Sequence, residues 1–257
     1  MFKAVGSKKR AAEEKHTVRI SMFGPLRIEN ESGFVEENRH RQVEYWLLLK
    51  YLLVRPGVAV DEDELIRDIW ATEAGQLEAN SLRVRLNRLR ASLAPLHLEK
   101  PREGLVNHYQ WKFYINPTYD LVLDTDVFDA LMGQIQETSA DDPKGLELCE
   151  KALEIYRGKY FAQTPDYEWL QPHRANYRAA FEALARETLH RMIVLGNDKP
   201  LGLLCRRSAL IVPEAEELHR SILRYLDDNN KELQKLRHEF QLSSVGGTGP
   251  DWLKNLK

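Results

Sequence analysis

Cysteine is nearly absent. The 257 residues hold two, Cys149 and Cys205, each inside an apolar pattern of helical spacing, which fits small buried hydrophobes rather than a disulfide or redox pair. Long apolar runs are absent too: no stretch approaches the roughly 18 residues of a membrane span, and MFKAVGSKKRAAEEK lacks a signal peptide's apolar core. A cytoplasmic protein without membrane contact is expected. Neither sign of charge dominates, with 37 basic against 39 acidic residues, so any affinity for nucleic acid must come from local clustering. The eight histidines are scattered, and no HExxH, CxxC or nucleophile elbow occurs. The GGTG of the tail lacks the Lys-Ser/Thr of a phosphate loop. No catalytic residue, metal ligand or cofactor is therefore assigned, and an enzyme is not expected. Tyr167, Trp169 and Tyr177 read as core aromatics rather than a ligand cage.

What is present changes period along the chain. Residues 1–16 are polar and read as a disordered leader. From Thr17, Val18, Ile20 and Met22 alternate with polar neighbours, Gly24-Pro25 interrupts, and Leu26 and Ile28 resume, which predicts a short antiparallel sheet with a further strand after Gly33. Residues 42–54 then carry apolar side chains at helical spacing up to Arg55-Pro56-Gly57. A second, shorter helix follows Asp61, with Glu64 placed as in a capping box. Asn80 or Ser81 caps a third that runs toward Pro95. YQWKFYI (109–115) returns to β character, with turns expected at Gly104 and Asn107-His108. Sheet, three helices and hairpin make a winged helix. From about Thr118 the pattern is helical only, over approximately 125–137, 143–157, 167–195, 199–211, 214–227 and 230–241. The expected class is mainly α with small β-sheets: a winged-helix (α+β) domain over 17–117, an all-α TPR-like domain over 118–241 and a flexible tail over 242–257.

The third helix carries the functional signal. In SLRVRLNRLRASL (81–93), Leu82, Leu86, Leu89 and Leu93 recur at intervals of four, three and four and share one stripe, which must pack inward. Four arginines and no acid occupy the rest of the helix. Guanidinium groups match guanine O6/N7 or phosphate, and an exposed valine suits a thymine methyl. Val84, Arg85 and Arg88 are accordingly expected at base edges, and Ser81, Arg83, Asn87 and Arg90 at the DNA backbone. On the wing, Arg102, His108 and Lys112 are candidates for the adjacent groove or phosphates, or else simply solvated. An isolated arginine-rich helix is ordinarily a solvated surface paired with glutamates. The capped helix before it and the hairpin after it favour double-stranded DNA.

VEYWLLLKYLLVRPGVAVDEDELIRDIW followed by NSLRVRLNRLRASL resembles the winged-helix output domain of OmpR/PhoB-type regulators, and more closely its variant in the SARP/AfsR group. The segments YDLVLDTDVFDALM, LCEKALEIYRGKYF, YEWLQPHRANYRAAFEALARETLHRM and PEAEELHRSILRYL are similar to the helices of that group's bacterial transcriptional activation domain. The resemblance covers about 17–240 and implies a nucleoid-associated activator that binds repeated half-sites near promoters as tandem copies and contacts RNA polymerase. It also implies a polymerase-facing connection at Ala71–Ala79. NHYQW stands where related wings often have a Gly-Gly-Tyr turn. A competing reading is an interaction scaffold whose winged helix docks protein rather than DNA.

Overall fold

The computed structural model describes residues 17–37, 44–70 and 79–228, with side chains from Leu82 to Leu226 in the last stretch. The leader, the start of the first helix, the 71–78 connection, the 230–241 helix, the tail and the Ser81 side chain lie outside the described residues.

The alternation at the start produces strands β1 (Thr17–Ser21), β2 (Arg27–Asn30) and β3 (Gly33–Glu36). They pair antiparallel in order, with Ile20 opposite Ile28 and Ile28 opposite Val35. Helices α1 (Tyr45–Leu53), α2 (Glu62–Trp70) and α3 (Ala79–Leu93) follow, with a two-residue strand β4 (Val60–Asp61) between the first two. The hairpin is β5 (Val106–Tyr109) and β6 (Lys112–Ile115), and β4 extends it through Val60 opposite Phe113. A winged helix results.

Several expectations give way here. The hairpin turns at Gln110-Trp111, not at Asn107-His108, because both of those residues pair within β5. Gln110 (φ 48°) and Trp111 (φ 64°) hold the left-handed conformation of a tight two-residue turn without glycine. Asp61 and Glu64 spend their carboxylates elsewhere: Asp61 faces Lys112 at 3.5 Å, and Glu64 accepts from the Tyr51 hydroxyl at 3.0 Å and from Arg55. The α2 backbone instead begins against the wing turn, Glu62 N–H donating to the Trp111 carbonyl at 3.0 Å.

Beyond Thr118 the chain is not helical throughout. Residues Asp120–Leu123 form β7, parallel to β1 with Val18 opposite Leu121, so the sheet runs β3-β2-β1-β7. Helices α4 (Asp124–Glu137), α5 (Pro143–Ile155), α6 (Gln171–Leu195), α7 (Leu201–Ile211) and α8 (Glu216–Asp228) follow in a TPR-like succession. Pro172 sets the start of α6 four residues later than the spacing suggests, after a turn over 167–170. Cys149 and Cys205 are buried free thiols, and burial pushes the Cys205 thiol up to about 12.

Sheet and helices share one core. Phe23 stacks on Tyr156 at 4.1 Å and meets Phe128 and Tyr177 edge-on, so Tyr177 is a core aromatic, as expected. The Asp124 carboxylate accepts from Met22 N–H at 2.8 Å and Phe23 N–H at 3.1 Å, while burial raises its pKa to about 6. Deeper still, the Lys50 ammonium on α1 donates to Glu37 at 2.6 Å and to Thr164 Oγ1 at 2.7 Å, all three buried. Arg174 of α6 closes the joint by donating to the carbonyls of Tyr160, Phe161 and Thr164.

Candidate nucleic-acid interface

The leucine stripe of α3 is buried as its spacing requires: Leu82, Leu86, Leu89 and Leu93 all belong to the core. Burying four leucines fixes which side faces out. Arg83, Val84, Asn87 and Arg88 form the exposed surface of the helix, and Val84 keeps 48% of its area in solvent. Among the described residues no carboxylate pairs with Arg83 or Arg88. Two cations, an amide and an aliphatic side chain thus lie together on one helical face, suited to phosphate, base-edge and methyl contacts respectively.

Two arginines expected on that surface are committed to the protein itself. Arg85, expected at base edges, is 13% exposed; its guanidinium pairs with Glu44 at 2.7 Å and lies 4.6 Å from the Trp70 ring centre. Its work is to join α3 to α1 and α2. Arg90, expected at the DNA backbone, donates to the Val106 carbonyl at 3.1 Å, and burial lowers its pKa from the usual arginine value. It ties α3 to the wing.

Two of the wing candidates are similarly engaged. His108 stacks on Phe113 at 4.5 Å, and its Nε2 lies 2.8 Å from Glu62 Oε1, off the alignment of a good hydrogen bond. Lys112 faces Asp61. Arg102, at φ 68°, belongs to the loop before the hairpin, where Asn107 and Asn116 hold its carbonyl, and so precedes the base of the wing rather than its tip. What the tip presents is aromatic: Tyr109 is 62% exposed and Trp111 63%. These two were missed because YQWKFYI reads as strand, and strand aromatics are ordinarily packed; only the location of the turn reveals them.

The candidate set carries no metal cluster among the described residues. Residues 123–237 match the model of the bacterial transcriptional activator domain. The helical half is similar to that domain. It stands behind a winged helix. A solved structure of Mycobacterium tuberculosis EmbR in complex with a low affinity phosphopeptide is similar at TM-score 0.47 and 15% identity, over 88% of this chain and 65% of that one. The chain therefore spans under two thirds of that protein's length. No curated protein sequence matches it. No helix among the described residues is long and apolar enough to cross a membrane.

Proposed function

We propose that this regulator binds double-stranded DNA sequence-specifically through the outer face of α3, and that its activator domain engages RNA polymerase. The observation that carries the first part is the sidedness of α3: four leucines inward, and Arg83, Val84, Asn87 and Arg88 outward. Val84 and Arg88 take the base edges, and Arg83 and Asn87 the backbone. Arg85 and Arg90 contribute by holding the helix against α1, α2 and the wing. Tyr109 and Trp111 at the wing tip add an apolar contact to the neighbouring groove.

The polymerase contact rests on the resemblance and on the activator domain, with the 71–79 connection as its proposed surface. A DNA-reading unit over 17–117 and an activating unit over 118–241 belong to the same proposal, as do a cytoplasmic, nucleoid-associated location and tandem copies on direct repeats. The exposed aromatics of the wing favour a second reading, a protein-docking winged helix.

Selection of duplexes from a random library by the full chain, followed by hydroxyl-radical footprinting, separates these readings. Enrichment of a motif protected as two half-sites in the same orientation is expected. A palindromic footprint removes the tandem arrangement, and no enrichment at low salt removes DNA reading altogether. Arg88→Ala is expected to relax specificity at one position by about 1–3 kcal/mol.

A further inference from the structure

Within the activator domain, α6 and α8 face each other across a groove of about 650 Å³. Arg186, Leu189, His190 and Ile193 recur at intervals of three, one and three, so one face of α6 forms a wall. Leu218 of α8 is fully buried and, with Leu189, makes the floor. Ile193 stands in the same groove with 57% of its area in water. Arg186, His190 and Arg224 border it, and no carboxylate among the described residues lines it. The acid nearest Arg186, Glu217, is at the 4.0 Å limit of an ion pair and is itself highly exposed, so it compensates little charge. No carboxylate among the described residues pairs with Arg224.

An aliphatic floor under a cationic rim selects a ligand with apolar anchors and negative flanks. The chain's own ends do not fit this description: residues 1–16 hold five basic and two acidic side chains, and residues 229–257 five and three. We infer that the groove between α6 and α8 binds an acidic amphipathic segment of a protein partner, its apolar side chains against Leu189, Ile193 and Leu218 and its carboxylates against Arg186, His190 and Arg224. The inference stands apart from DNA recognition and is tested without DNA.

The test is fluorescence anisotropy of the full chain with a labelled synthetic helix carrying leucines at three- and four-residue spacing and glutamates elsewhere. Saturable binding is expected, weaker by about tenfold or more when lysine replaces glutamate and when the leucine spacing is scrambled. Arg224→Glu and Ile193→Glu are each expected to weaken binding by about tenfold with the melting temperature unchanged. Should Ile193→Glu perturb folding, Arg224→Glu, an exposed position, decides. Absence of saturable binding, equal binding of the acidic and basic helices, or indifference to Arg224→Glu overturns the inference. So does a concentration-dependent dimer in sedimentation that Ile193→Glu abolishes, which names a second copy as the occupant.

Discussion

In the proposed DNA complex Arg83 and Trp111 act through different physics, and that difference makes their roles separable. A guanidinium at a phosphate releases counterions, whereas an exposed indole contributes apolar contact and displaces none. Trp111→Ala is expected to weaken binding of a selected duplex several-fold while leaving the slope of log affinity against log salt unchanged. A changed slope would assign the wing an ionic role. At this scale the sequence was informative where a residue's fate depends on its own helix. The inward leucines follow from period alone. Arg85 and Arg90 did not, because their partners, Glu44, Trp70 and the Val106 carbonyl, come from other elements. An arginine's spacing states which way it leaves the helix, not what waits there.

Elements show the same division between local and distant causes. The three helices of the winged fold were legible from period, and so was the presence of the hairpin, though not the place of its turn. The strand over Asp120–Leu123 was not, since its partner β1 lies a hundred residues earlier. Two helices of the activator domain carry specific expectations. Arg191 of α6 donates to the carbonyls of Ile135, Thr138 and Ser139 and so caps the end of α4. It passes so close to α5 that a Cβ on Gly145 would sit 1.8 Å from its guanidinium. Gly145→Ala is therefore expected to destabilise by about 1–3 kcal/mol in denaturant unfolding, despite alanine's better helix propensity. On α8, His219 is buried with Nε2 against the Ser208 carbonyl at 3.3 Å, and burial holds its pKa below the usual histidine value. The unfolded chain then binds the extra proton as pH falls, so the stability owed to neutral His219 is complete above about pH 6.5 and is lost below it. A melting temperature that falls from pH 7 to pH 5 in the wild type, and falls less in His219→Gln, is expected.

The two halves of the molecule are joined by buried polar groups as well as by aromatic packing. Lys50 links Glu37 beyond β3 to Thr164 ahead of α6, and burial lowers its pKa against the pull of Glu37. Because α1 also packs on α3, this network fixes α3 relative to the helical half. Lys50→Met is expected to cost about 3–5 kcal/mol by leaving Glu37 buried and unpaired. The double change with Glu37→Leu is expected to cost less than the single one. Such a joint suits the proposed regulator, whose position on DNA would dictate where its helical half stands. The central claim, that the outer face of α3 holds DNA, is tested most directly by retardation of a promoter-fragment pool across a salt series, with the wild type beside Arg83→Ala. Retardation at low salt that weakens steeply as salt rises is predicted, with the log-log slope of Arg83→Ala shallower by about one. Failure of the wild type to retard any fragment at low salt, or an unchanged slope and affinity in Arg83→Ala, would contradict the account.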